Sequence, residues 1–306
     1  MVKNPNISGS FSKWHIEFKN KSKVNSKHHE VLKAVLMLFV CSCCCCATTL
    51  IVAVTPYGII IGTDSKAYTT SFGGFNGKAI LGIKKATIVQ NLVVATADLA
   101  ALNIFYEKSG SVFSYNFTNW IADINKHCPK NVSVSALTSI LEVKSRGTFS
   151  NFDKYIAGGA IDRDKTPDPY IEYVIAGYQS GIPTITHIYF HVDWKNKRLV
   201  GPGIEEIHPD HHPKDFGLYG AGWREVLTEI QDRNSDAYKE MFALAPKELS
   251  KLTSNQGLSL GEAQMLCLSI LRYETKHHEE FVAPPYILIT IPPFGMGAIS
   301  RRAYPK

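Results

Sequence analysis

The chain has 306 residues, 45% hydrophobic and 20% charged, which is ordinary globular composition and excludes a disordered or collagen-like polymer. Its formal charge of +6 is unevenly placed: residues 1–47 hold seven Lys against Glu17 and Glu30, and the remainder carries 26 basic and 25 acidic groups. A near-neutral body offers no electrostatic footprint for nucleic acid, so none is expected as a partner.

Residues 1–47 read as a leader. Five of the seven cysteines stand at 41, 43, 44, 45 and 46, a run without the separated pairs or interspersed His of a zinc site, so acylation or no role fits better than metal. Ala34–Ala47 is an uncharged stretch of 14 residues, long enough for a signal-peptide core and too short for a membrane-spanning helix. A signal peptide, a self-removed pro-segment and a start misassigned ahead of Met37 are three readings of it. All three end the leader at the Ala47–Thr48 bond. Only Cys128 and Cys267 remain in the body, which is no disulfide framework. That favours the cytoplasm, with export through the leader as the alternative, and no stable membrane span is expected.

The body begins with Thr48–Val54, the turn Pro56-Tyr57-Gly58, and Ile59–Ser65, which predict two short strands joined as a hairpin. Both are apolar at nearly every position, so both faces of their sheet should be covered. The hairpin brings its open ends together, placing a Thr-Thr pair beside Asp64-Ser65. A hydroxyl and a carboxylate at the mouth of a doubly buried sheet is an arrangement suited to catalysis.

Tyr68–Gly77 reads as a loop, followed by a second hairpin, Ala86–Val89 and Leu92–Thr96 around Gln90-Asn91. Helical spacing is expected over about 98–127 and 133–145, with Cys128-Pro129-Lys130 as the break. Tyr155–Gly159, Tyr170–Tyr178, Thr184–Val192 and Arg198–Val200 read as strands. Gly222–Asp232, Ala237–Leu252 and Ser259–Lys276 read as helices, the last two capped by Asp236 and Ser259. Tyr286–Ile291 is a final strand stopped by Pro292-Pro293. This order predicts one α+β domain over residues 48–306, its sheets covered by helices. His208-Pro209-Asp210-His211-His212 looks like a metal run, but its prolines argue for a surface loop, and no metal site is expected.

With that order in place, the body resembles the proteasome β-type branch of the N-terminal nucleophile (Ntn) hydrolases. Thr48-Thr49, Gly58, Ile59–Ile61 and Asp64-Ser65 match the start of mature β-type subunits without a gap. Lys84-Lys85 and the strands up to Ala97, then Ile175-Ala176-Gly177-Tyr178, continue the likeness. Gly220-Ala221-Gly222 stands where the family has a Gly-Ser-Gly turn, and Glu279–Ile289 resembles its closing segment. The resemblance implies a four-layer αββα sandwich of two antiparallel sheets covered by helices. It also implies hydrolysis of an amide bond in a peptide or small amide, no cofactor, and assembly into a homo-oligomeric ring or dimer.

It further implies that Thr48, freed by loss of residues 1–47, is the nucleophile and that its own α-amine is the base, since that amine titrates at about 7.7 to 8.0. Asp64 would hold the site's cation, which the match assigns to Lys84, with Lys85 and Lys78 as competitors. The Asp98 backbone N–H would supply the oxyanion hole. Two departures weigh against activity: Ala221 replaces the serine that supports the amine, and Asp98 replaces a glycine. Glu279 stands near the place of a remote family aspartate. A catalytically silent structural subunit is therefore the alternative, and an exported or lipid-anchored binding protein is a third reading.

Overall fold

The first hairpin forms as its sequence demands. In the computed structural model, β1 (Thr49–Thr55) and β2 (Gly58–Thr63) are buried at every position and pair antiparallel from Leu50↔Thr63 to Thr55↔Gly58. Thr55 closes the turn with its hydroxyl, which donates to the Gly58 carbonyl at 3.0 Å and accepts the Tyr57 N–H at 3.1 Å. Gly58 has φ +148°, and a Cβ there would stand 2.8 Å from the Ile291 carbonyl oxygen, so only glycine fits. The structure describes residues 49–68, 79–80, 83–97, 100–106, 111–161, 163, 168–207, 216–222, 225–254, 256–279, 282–293 and 297–305.

Then follow β3 (Ala67–Tyr68), β4 (Ala79–Ile80), β5 (Ala86–Val89), β6 (Leu92–Ala97), β7 (Ala101–Tyr106) and β8 (Ser111–Asn116). Three helices come next, α1 (Phe117–His127), α2 (Val134–Thr148) and α3 (Asp153–Ala157). After them run β9 (Ile171–Gln179), β10 (Ile182–Asp193), β11 (Arg198–Ile207) and β12 (Gly217–Gly222). The chain closes with α4 (Glu225–Glu229), α5 (Asp236–Leu244), α6 (Pro246–Thr253), α7 (Leu260–His277), β13 (Tyr286–Ile291) and β14 (Ser300–Tyr304).

Among the described residues the strands form two five-stranded antiparallel sheets, ordered β12-β1-β2-β13-β14 and β11-β10-β9-β6-β5, with two small hairpins β3-β4 and β7-β8. The class is α+β, as expected. Alternation along the strands sorts the core into three clusters. Leu50, Val52, Ile59 and Ile61 meet Val93, Ala95, Val174 and Ala176 between the two sheets. Ile51, Ala53 and Ile60 face the other way, onto α4–α7. Val94, Tyr173, Ile175 and Ile188 face α1–α3, where Trp120 stacks on Tyr173 with ring centres 5.1 Å apart.

Several boundaries differ from the sequence reading. The helix expected over 98–127 is confined to α1, because Ala101–Tyr106 and Ser111–Asn116 pair as the β7-β8 hairpin. Asn116 then caps α1 by accepting the Asn119 N–H. Of the strand expected at Tyr155–Gly159, residues 155–157 belong instead to the short helix α3 and Gly158-Gly159 to the turn after it. The helix expected over 237–252 divides at Ala245, since Pro246 opens α6 and has no N–H to continue α5. Ser235, not Asp236, caps α5, while Ser259 caps α7 as expected, in a capping box with Glu262. Gly217–Gly222 is a strand rather than a turn opening a helix, and β11 runs on to Ile207.

Candidate active site

The hairpin's open end gathers the candidate polar residues. Because Leu50 pairs with Thr63, the flanking Thr49 and Asp64 are neighbours at the edge of the ladder. Asp64 is fully buried, a costly place for a carboxylate unless it is paired. Its partner comes from the second sheet. Lys85, the residue before β5, is equally buried and its Nζ meets Asp64 Oδ1 at 2.7 Å. The other carboxylate oxygen accepts the Lys66 N–H at 2.9 Å. Burial pushes the Asp64 carboxyl above its ordinary value, and the Lys85 ammonium with the backbone N–H groups of Lys66 and Ala283 pulls it back.

Both partners are fixed by backbone. Thr96 donates its N–H to the Lys85 carbonyl at 2.8 Å, which anchors the start of β5 on β6. Ser65 donates its N–H to the Ala283 carbonyl at 3.2 Å and accepts the Ile83 N–H at 3.0 Å. The ion pair therefore joins the ends of the two sheets. Lys84, the lysine that the sequence match assigned to this place, is exposed, and its backbone carbonyl accepts the Thr118 hydroxyl. The ammonium beside Asp64 is that of Lys85.

A second carboxyl lies behind Asp64. Glu274 on α7 is buried, and neither of its oxygens finds a hydrogen-bond partner of good geometry among the described residues; the same holds for the Thr49 hydroxyl. Burial drives the Glu274 carboxyl well above its ordinary value, the nearby Thr49 hydroxyl opposing and the Asp64 charge adding to the rise. Its neutral form is the one this environment favours. The helix's own periodicity gave the signal: Ala263, Leu266, Cys267, Ile270 and Leu271 form the buried stripe, and Glu274 continues it where an apolar residue belongs.

A third acidic group, Glu172 near the start of β9, is buried beside His187 of β10, with His187 Nε2 at 2.7 Å from Glu172 Oε2. Each interrupts a largely apolar strand, which is how sequence inspection would have found them. Ala221 is buried in β12 opposite Leu50 and brings no hydroxyl to the site. Glu279 is exposed, and its carbonyl accepts the Lys66 ammonium at 2.6 Å. Ala47, Thr48, Lys78, Asp98 and the His208–His212 run lie outside the described residues. Among the described residues no helix is long and apolar enough to cross a membrane.

No family model matches the chain, and no curated protein matches it. Among solved structures it is similar to Anbu from Hyphomicrobium sp. strain MC1. A Gly-1 mutant of that protein is 13% identical, over 84% of this chain and 87% of that one, with a TM-score of 0.49. A second crystal form of Anbu is 13% identical over 84% of this chain and 88% of that one, with a TM-score of 0.45.

Proposed function

We propose that this protein is a threonine-type N-terminal nucleophile hydrolase that cleaves an amide bond, in a peptide or a small amide, after losing residues 1–47. The observation that carries the reading is the buried Lys85–Asp64 ion pair, which lies where β1 begins, one residue after Thr48. A buried pair of charges is poor value for stability, since well-packed apolar residues do as well or better. At the start of β1, one residue along the chain from a Thr that can become a chain terminus, it has a chemical use.

In this reading the Thr48 α-amine takes the Oγ proton while Oγ attacks the substrate carbonyl, giving an ester and releasing the amine half of the substrate. Water then hydrolyses the ester by the same proton path. The Lys85 charge favours the unprotonated amine by repulsion and stabilises developing negative charge, and Asp64 keeps that ammonium in place. The Asp98 N–H is the proposed oxyanion donor. The three clusters, helices on sheet, sheet on sheet and sheet on helices, support a four-layer αββα sandwich of the proteasome type. A homo-oligomer is the corresponding assembly, and the free thiols of Cys128 and Cys267 accord with the cytoplasm rather than export.

The deciding measurement is reaction of the purified protein with a threonine-directed electrophile such as a β-lactone, read by intact mass and N-terminal sequencing. The expected result is a chain beginning at Thr48 and labelled there, with labelling abolished by Thr48→Ala. An active preparation that retains residues 1–47 would overturn the reading. A chain that begins at Thr48, stays unlabelled and assembles would establish the silent structural subunit, the outcome that Ala221 favours.

A further inference from the structure

The buried Glu172–His187 pair is not used by the mechanism above, yet it lies at the same end of the sheets. Val174 and Ala176 of β9 line the space between the two sheets, so Glu172, two residues earlier, faces that space as well. Ile185 and His187 stand in the same relation on β10. Glu172 reaches across. Its Oε1 accepts the N–H of Gly222, the last residue of β12 in the opposite sheet, at 3.4 Å, while Oε2 meets His187.

Register shows what the carboxylate sits beside. Gly222 is the cross-strand partner of Thr49, and Glu172 is the cross-strand partner of Ala97, which precedes Asp98. The Glu172 main chain is tied to this place by the Thr96 hydroxyl, which donates to its carbonyl at 2.9 Å. The buried carboxylate thus bonds the cross-strand neighbour of Thr49, the residue that follows Thr48 in the chain. In the same region Ala221 supplies no polar side chain.

We infer that Glu172 accepts a hydrogen bond from the α-ammonium of Thr48, doing for the nucleophile's amine what the absent hydroxyl at position 221 does not. His187 is a positioning residue that holds the carboxylate. The inference rests on the reading of Thr48 as nucleophile. Glu172 exchanges no proton and forms no covalent bond. The proton passes from Thr48 Oγ to the amine and on to the leaving nitrogen, and Glu172 holds the cation between those transfers. Among the described residues, the charged and titratable groups around it include His187 from β10, Glu205 of β11 with Oε2 at 4.0 Å from His187 Nδ1, and the Lys85–Asp64 pair at the same end of the sheets.

The test is the pH dependence of labelling by the same β-lactone. A carboxylate beside an ammonium raises its pKa by about 1 to 3 units. Glu172→Gln is therefore expected to move the acid limb of the rate profile to lower pH by about one unit or more, and to lower the plateau as the amine loses its orientation. His187→Asn should move it the same way by less, and Glu172→Asp should restore part of the wild-type midpoint. If the pair only stitches the sheets together, these variants will lower the melting temperature and leave the midpoint unmoved, which overturns the inference while Thr48 stays labelled. Should Glu172→Gln fail to fold, the midpoints of His187→Asn and Glu172→Asp decide. A wild-type chain that never labels removes the reading of Thr48 itself.

Discussion

Asp64 and Glu274 are both buried at the end of the hairpin sheet, and they meet the cost of burial in opposite ways. Asp64 has an ammonium at 2.7 Å and a backbone N–H at 2.9 Å, so its charge is compensated. Glu274 has neither, and the environment favours holding its proton. One sheet end thus holds a compensated charge near an acid whose neutral form its burial favours. Burial alone therefore assigns no role to a carboxyl; its partner decides the protonation state. It also sets the charge around Thr49, since an ionised Glu274 would add an uncompensated negative charge next to Asp64.

The largest break in this comparison is removal of the ammonium. Lys85→Met leaves Asp64 buried with its main cation gone, and breaking such a pair costs about 3–5 kcal/mol. The expected result is a denaturation midpoint far below wild type at neutral pH, with the loss shrinking in acid as Asp64 takes a proton. Adding Asp64→Leu to Lys85→Met should recover much of the stability, because the stranded charge is then gone, while β-lactone labelling stays absent. A Lys85→Met chain of wild-type stability would show that Asp64 is satisfied without it.

Glu274→Gln sharpens the other side. The folded chain holds the Glu274 proton more tightly than the unfolded chain, whose carboxyl titrates near its ordinary 4.5. Stability is therefore fully present in acid and declines as pH rises from that value toward the folded one, by about 1.4 kcal/mol per pH unit of the interval. An amide cannot ionise, so the variant should lose this decline. Its melting temperature relative to wild type is expected to rise as pH increases from about 4.5 toward the folded value. Parallel curves for the two proteins would mean that Glu274 is already ionised in the folded chain.

How much of this was legible depends on whether period or register carried the information. The β1-β2 hairpin was readable because unbroken apolar strands around Pro56-Tyr57-Gly58 leave no alternative. Ser259 with Glu262 announced α7 by a local capping box. The β7-β8 hairpin was lost because Phe117 starts a real helix, and its helical spacing was carried backwards over Ser111–Asn116. Tyr155-Ile156 favours strands by propensity but is held in α3, with Tyr155 packed on Phe113 and Phe152. Which lysine would meet Asp64 was not legible for a different reason. Side chains of successive residues at a strand start point to opposite sides, so an offset of one residue exchanges a buried position for an exposed one. The loop from Asp64 offers no periodic pattern to set that offset. Glu172, His187 and Glu274 were written in the sequence as charges within apolar patterns, but their mutual placement depends on the two sheets meeting.

The smallest expected effect tests that one-residue offset most directly. Lys84 is exposed, and its structural contact on this stretch is a backbone carbonyl that accepts the Thr118 hydroxyl, which a side-chain change leaves intact. Lys84→Ala should therefore alter stability by no more than about 0.5 kcal/mol, as for other exposed positions. It should also leave the rate and pH midpoint of Thr48 labelling where they are in wild type. Set beside Lys85→Met, it compares two adjacent lysines with the same chemistry and opposite burial. If Lys84→Ala abolished labelling and Lys85→Met did not, the cation that serves the nucleophile would be the exposed one. The buried Asp64–Lys85 pair would then be a strut between sheets rather than part of the reaction.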